Sequence, residues 1–369
     1  PDRLEAFVSL VRETLEKIAR QGIEDRRVTS AFRQTAYETL EIQSLFPLNA
    51  LGNVIAAWIH GADPLLFLEM KDRLASCEKA YRRSPDMFRS MIREKLIENQ
   101  HRLDVVLEPD RNGEQRMETE LAEKVRNIRN GMSPREIDRA AKKAQALDRL
   151  NSVPNPPEAL DLLPTLKINE LPGEPRNIET AEETAGDIKI LRNNVFSNGI
   201  NYLELSFDLN GLPEKLWPYI PRYCEAVRKL GAAGMDFQDI AARKASSTGG
   251  LTCKPVITTH AQDPGKGVYR LNYKLKALDK TITEALAVLH DIVFSVDPTD
   301  KARLLDTINQ ARTGYATSLV RNGIRTAALH AVRGLTEQGY LLEAIEGVPQ
   351  LPLLNRFHNR FDKDSDILI

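Results

Sequence analysis

The chain has 369 residues, with 51 Lys+Arg against 52 Asp+Glu, 42% hydrophobic and 28% charged residues. That length suggests two to three domains at roughly 150 residues each, and the composition excludes disorder along the whole length, because there is enough apolar surface to bury sizeable cores. A net charge of -1 supplies no global basic excess for nucleic acid or an anionic membrane.

Apolar residues Leu4, Phe7, Val8, Val11, Leu15 and Ile18 recur every three or four positions, which predicts a helix to about Arg20, stopped by Gln21-Gly22. Further helical patterns cover about 28–42 and 51–60, then, after the turn Gly61-Ala62-Asp63-Pro64, about 65–81. Ser84-Pro85 reads as an N-cap with Pro at the first helical position, opening a helix through Glu98. Leu103, Val105 and Leu107 alternate with Arg102, Asp104, Val106 and Glu108, so 102–108 is expected to be a strand ended by Pro109-Asp110. A lone strand requires partners, and these are expected in a preceding portion of a longer protein, since the chain starts at Pro1 inside a helical pattern.

From Arg111 to Asn151 charges dominate and the apolar residues thin to Leu121, Val125 and Ile128, then Ile137, Ala141, Ala144 and Leu147. Ser133-Pro134-Arg135-Glu136 after Gly131 is a capping box with Pro at N1, so the segment reads as a charged helical hairpin. Val153-Pro154-Asn155-Pro156-Pro157 is a stiff extended linker, and 158–185, with Pro164, Pro172 and Pro175, is expected to stay mostly irregular.

A second body starts near Ile188. Leu203, Leu205, Phe207 and Leu209 alternate with Glu204, Ser206 and Asp208, the pattern of a half-buried strand. Helices are expected through Leu230 and over 236–244. Strands follow over 251–259 and 267–277, joined by the hairpin connection Ala261 to Lys266, and then helices at about 280–295, 299–321 and 323–340. Strands grouped with helices in this order predict an α+β fold, helices on one face of a mainly antiparallel sheet.

Candidate chemistry is sparse. Cys77, Cys224 and Cys253 are too scattered for a disulfide framework or a CxxC knuckle, so a reduced, intracellular setting is expected. No apolar run approaches the roughly 18 residues that span a bilayer. Thr248-Gly249-Gly250 lacks the Lys of a phosphate loop and reads as a turn needing positive φ. His290-Asp291 occupies adjacent helical positions and is no metal pair. Asn99 to Arg102 is read as anchoring a strand entrance, with contact of His101 and Arg102 to substrate or a missing domain as the alternative, and Arg82-Arg83, Arg356 and Arg360 as solvated basic residues.

Several stretches resemble the presequence-protease branch of the insulinase-like (pitrilysin) zinc peptidases, which includes falcilysin. They are Gln21-Gly22-Ile23-Glu24-Asp25, Trp58-Ile59-His60-Gly61-Ala62-Asp63-Pro64, Glu98-Asn99-Gln100-His101-Arg102, Leu107-Glu108-Pro109-Asp110 and Leu163-Pro164-Thr165-Leu166. The most specific are Ser197-Asn198-Gly199-Ile200-Asn201-Tyr202 and Ser247-Thr248-Gly249-Gly250-Leu251. The resemblance implies two bowl-shaped halves, each of two similar α+β domains of pitrilysin-like (LuxS/metallohydrolase-like) fold, closing around a chamber for unfolded peptides. By it, residues 1–110 look like the back of the second domain, 111–153 the hinge hairpin, 154–187 a Pro-rich linker and 188–369 a third, non-catalytic domain, with the first and fourth domains absent. The family's inverted zinc motif, His-x-x-Glu-His, is missing: His60, His101, His260, His290, His330 and His358 are isolated. If the third domain repeats the catalytic plan, its zinc-helix counterpart lies near Tyr219 to Leu230, where Tyr223, Cys224 and Glu225 stand without a His, and Cys224 is expected to be a buried apolar packer.

The expected function is therefore a non-catalytic middle segment of a zinc-dependent metalloendopeptidase, supplying chamber wall and hinge. No catalytic or metal residue and no cofactor is expected in this chain, with zinc belonging to the parent by resemblance. The expected partners are unfolded peptides and the missing catalytic and C-terminal domains, with no nucleic acid and no membrane. The expected location is cytoplasmic if bacterial, or an organelle matrix if eukaryotic. The alternatives are a scaffold subunit from an inactive relative and an unrelated helical interaction module. An exposed sheet edge is expected to drive self-association.

Overall fold

The computed structural model describes residues 4–174 and 177–367, and the chain falls into two compact units, one joining the part before residue 100 with the part from 196 onward, the other spanning 100–195. The first unit begins with α1 (Leu4–Gln21), α2 (Asp25–Leu40), α3 (Phe46–Trp58), α4 (Met70–Arg83) and α5 (Met87–Ile92). Gly22 ends α1 with φ +86, the left-handed conformation that glycine adopts at little cost. Three boundaries differ from the periodicity. Pro64 to Phe67 forms a 3-10 turn capped by Asp63, whose Oδ1 accepts from the Leu65 N–H at 2.9 Å, so α4 starts only at Met70. Ser84 makes no side-chain cap; α5 starts after Asp86, and its continuation through Ile97 winds as a wider π-type turn. α3 starts at Phe46, ahead of the expected Leu51, with Pro47 fitting its first turn.

In the second unit the expected strand over 102–108 does not form. Leu103 is 84% and Leu107 92% exposed, and no ladder forms there among the described residues. Period-2 alternation specifies a strand only when a neighbour takes up its hydrogen bonds. The charged hairpin does form, as α6 (Gly113–Asn130) and α7 (Pro134–Ser152). The Ser133 capping box is present, with the Glu136 carboxylate accepting from Ser133 N–H at 2.8 Å. After the short α8 (Pro157–Leu160), the expectation of irregular chain to 185 fails at its end. β1 (Thr180–Ala185) pairs antiparallel with β2 (Ile188–Asn193) around Gly186, whose φ of +60 suits a two-residue hairpin turn. β1 carries no apolar alternation, so turn chemistry and cross-strand pairs such as Lys189–Glu182 at 2.7 Å replace a buried face.

The remaining part of the first unit carries the sheet. β3 (Ile200–Asp208) is followed by α9 (Ile220–Lys229), β4 (Gly231–Ala232), α10 (Phe237–Ser247), β5 (Gly250–Thr259), β6 (Gly267–Leu278), α11 (Ile282–Phe294), β7 (Val296–Asp297) and α12 (Lys301–Arg321). Then come α13 (Gly323–Val332), α14 (Glu337–Glu346), α15 (Gln350–Asn359) and α16 (Phe361–Asp364). The expected single helix over 323–340 is two, because the chain turns at Arg333 to Thr336 and Thr336 Oγ1 caps α14 by accepting from Gly339 N–H. The sheet is antiparallel in the order β3-β6-β5, with β4 and β7 a minimal separate pair. Small antiparallel sheets packed with helices make the unit a mixed helix-and-sheet body, compatible with the α+β expectation.

Alternation decides which face is covered. Leu251, Cys253, Tyr269, Leu271, Tyr273, Leu275 and Ala277 point into one core with α9, α11 and α14, where Val288, Ala285 and Ile345 are buried. A second cluster joins Leu304, Ile308, Leu354, Phe357 and Phe361 behind α9.

Candidate functional site

Two features of the first unit stand out, a seam and an open face. The seam is built by α2, whose apolar stripe ends in Tyr37 and Leu40. Tyr37 is 5% exposed, packs with Ile200 and Leu278, and its hydroxyl accepts the Leu278 N–H at 2.9 Å. Asn198 Nδ2 donates to the Leu40 carbonyl at 3.0 Å, capping the end of α2. Gln34 Nε2 donates to the Thr248 carbonyl at 2.9 Å, and Arg33 donates to the Ser246 carbonyl at 2.7 Å while pairing with Glu284 at 3.0 Å.

The two most specific motifs of the sequence converge on this seam. Asn198 and Gly199 take φ of +53 and +81, which turns the chain into β3. A Cβ on Gly249 would run into the Tyr37 ring, so a side chain there would expel the helix. Gly250, at φ +142, takes the strained backbone that the sequence assigned to this stretch. These motifs therefore hold a helix against a sheet rather than a phosphate.

The open face carries the other residues of the same strands. Tyr202, Glu204, Ser206 and Asp208 of β3 stand beside Lys276, Lys274, Asn272 and Arg270 of β6, with Thr252 and Lys254 on β5. Glu204 pairs with Lys274 at 3.0 Å, and Ser206 Oγ donates to Asn272 Oδ1 at 2.7 Å. Glu41, just past α2, bonds Lys276, and that ammonium holds its carboxyl below the ordinary 4.5. The neighbouring Tyr202 hydroxyl is pushed up by burial and by the Glu41 charge. Arg270 and Lys254 are diagonal neighbours across β5 and β6. This face presents hydroxyls and paired charges, with the Asn272 amide buried among them.

α9, the suspected counterpart of the zinc helix, has no metal donor set. Cys224 is buried as expected, its Sγ 3.5 Å from that of Cys253, and Glu225 is committed to Arg222 at 2.9 Å. Among the described residues no group of three or more His, Cys, Asp or Glu could hold a metal ion. The histidines stay apart. His330 Nδ1 meets Glu343 at 2.7 Å, His358 Nδ1 meets Asn309 at 2.6 Å, and His260 Nδ1 accepts from Gln262 N–H at 3.3 Å. His290 is largely exposed, its Nδ1 3.4 Å from Asp291 Oδ1, while Arg243 holds Asp291 more closely at 2.5 Å and keeps its carboxyl below the ordinary range. Arg82 pairs with Glu78, Arg356 and Arg360 with Asp364, and Arg102 with Asp104. A cavity of about 310 Å³ between α9 and α12 is mostly apolar and includes the Arg222–Glu225 pair.

Tyr37, Gln34 and Glu41 are seam residues that periodicity does not single out. Their only signal is a helix stripe ending in Tyr-x-x-Leu-Glu, which by itself reads as ordinary core.

The pattern of the family described as peptidase M16 (subfamily C) associated matches residues 107–357, more than half of the chain. The chain belongs to that family. Presequence protease 1, chloroplastic/mitochondrial, of Arabidopsis thaliana is 23% identical over 368 residues, covering 98% of this chain and 34% of that protein. Protein HypA of Clostridium perfringens is 24% identical over 366 residues, 98% of this chain and 37% of that protein. The mitochondrial presequence protease of Xenopus laevis is 23% identical over 356 residues, 96% and 34%. The chain spans about a third of the length of the curated relatives it matches, which fits an internal piece of a presequence protease-like M16 peptidase. No helix among the described residues is long and apolar enough to cross a membrane.

Proposed function

We propose that this chain is the non-catalytic chamber wall and hinge of a zinc-dependent, presequence protease-like endopeptidase that digests unstructured oligopeptides. In this reading residues 1–110 complete a second pitrilysin-like domain, 111–153 form the hinge, 154–187 the linker and 188–369 a third domain. The parent works inside the cell, in the cytoplasm or an organelle matrix. The observation that carries the proposal is the one-sided sheet: β3-β6-β5 buries one face under helices and leaves the other mostly polar, with Glu204, Ser206, Asp208, Lys254, Arg270 and Lys274 exposed. A wall facing a chamber needs that asymmetry, since an apolar inner face would hold peptide too tightly to release it.

The chain's own residues contribute positioning. The open face offers weak, sequence-tolerant contacts, the α2 seam keeps the wall rigid, and the charged α6–α7 hairpin supplies an element that moves without disturbing a core. Selection by size then follows from closure around the peptide rather than from a specificity pocket.

The test is an unstructured oligopeptide carrying a photo-reactive side chain, incubated with the purified chain. Labelling on Tyr202, Thr252, Lys254 and Arg270 without hydrolysis is the expected result. Labelling confined to the helical side would overturn the wall. Equimolar tightly bound zinc, or cleavage that survives removal of contaminants, would overturn the non-catalytic assignment.

A further inference from the structure

Cys224 on α9 and Cys253 on β5 are free, 5% and 1% exposed, and their sulfurs are 3.5 Å apart. From the Sγ–Sγ approach and the placement of the pair, we propose that these two thiols form a modification site, closed to a disulfide by hydrogen peroxide, that staples the helical layer to the edge strand of the sheet.

The sulfurs need to close by about 1.5 Å to reach bonding distance, a motion within reach of side-chain torsions. β5 is bonded to β6 on one side only, so a covalent link to α9 is the contact that most resists its peeling away. The surroundings favour one order of events. Cys253 lies beside Tyr273, whose hydroxyl hydrogen-bonds Tyr223 at 2.7 Å, and the Arg228 guanidinium acts on both sulfurs. The hydrogen bond the two thiols share, with help from Tyr273 and Arg228, holds the Cys253 thiol below its ordinary value, while that contact and burial push Cys224 up. Cys253 is the attacking sulfur. It takes one oxygen from peroxide, the O–O bond breaks, and the second oxygen leaves as water with the thiol proton. Cys224 then attacks the sulfur of that sulfenic acid, the S–O bond breaks, and the hydroxide departs with the Cys224 proton as a second water. Two thiols lose two electrons in all, and one peroxide gains them.

The full chain is treated with hydrogen peroxide, quenched with catalase, unfolded and alkylated, and its peptides are weighed. The expected product is a Cys224–Cys253 linked pair lighter by two hydrogens, Cys77 alone remaining alkylatable, and full reversal by dithiothreitol. Native hydrogen exchange of β5 amides should slow by about tenfold in the oxidised protein. In C224A, a dimedone adduct should accumulate on Cys253, while C253A should leave Cys224 unmodified. Both thiols still alkylatable after Cys77 has been oxidised, or sulfinic acid without the linked pair, would overturn the proposal. The wild-type mass measurement decides it even if either variant fails to fold.

Discussion

The two units of this chain hold their helices by different means. Among the described residues of 100–195 no side chain is buried, and α6 and α7 rest on local devices: the Ser133 capping box and pairs one turn apart, such as Lys142–Asp138 at 2.7 Å. In the other unit α9, α11 and α14 owe their place to a shared apolar core, with Ala285 and Val288 at 0% exposure, and α12 and α15 to a second cluster, with Leu354 and Phe357 at 0%. Local rules are enough to make a helix; only burial makes its position unique.

The contrast breaks most sharply at Phe357. Phe357→Ala should cost about 3–5 kcal/mol of unfolding free energy by urea titration, while hydrogen exchange in α6 and α7 stays unchanged; a matching loss in the hairpin would mean the units share a core. At the seam, Tyr37→Phe removes the acceptor of a buried Leu278 N–H and should cost about 1–3 kcal/mol. Gly249→Ala, driven into the Tyr37 ring, should cost a similar amount by overpacking, about 1–3 kcal/mol. If either variant unfolds like the wild type, the seam is not what joins α2 to the sheet.

Acid sharpens the same point. The Glu41 carboxyl is held below 4.5 by its bond to Lys276. Its folded value lies under the unfolded one, so its stabilisation is fully present above the unfolded value and fades as pH falls through the folded one. A titration below pH 4.5 should loosen α2 first, read as faster exchange in α2 than in α11, and Glu41→Gln should flatten that response. The smallest effect is at the cap: Ser133→Ala should cost about 0.5–2 kcal/mol in local helix stability, seen as faster exchange at Glu136 and Ile137, with the global urea midpoint unmoved.

How much of this was legible beforehand follows the same division. Alternation along Leu203, Leu205 and Phe207, and along Tyr269 to Ala277, named the strands of the sheet, and Ser133-Pro134-Arg135-Glu136 named the start of α7, because each pattern carries its own physical cause. The segment 102–108 failed on the missing neighbour, and β1 hid because Thr180 to Ala185 has no buried face to display. The family motifs were readable as marks of kinship but not as a seam. What Asn198 and Gly249 do depends on α2, more than 150 positions away in the chain, and no local window contains both. The open face was implicit in the polar half of each alternation, yet which helices cover the other half required coordinates.

The Tyr37 hydroxyl and its Leu278 partner are separated by 241 positions. On a ribosome adding about 5–20 residues per second, α2 waits roughly 12–48 seconds before the amide it serves has even been made. Through that interval α2 can settle against α4 and α5, where Phe32 meets the Tyr81 and Phe88 rings, but Tyr37 has no strand to cap, so the latest residue rather than the first completes this part of the molecule.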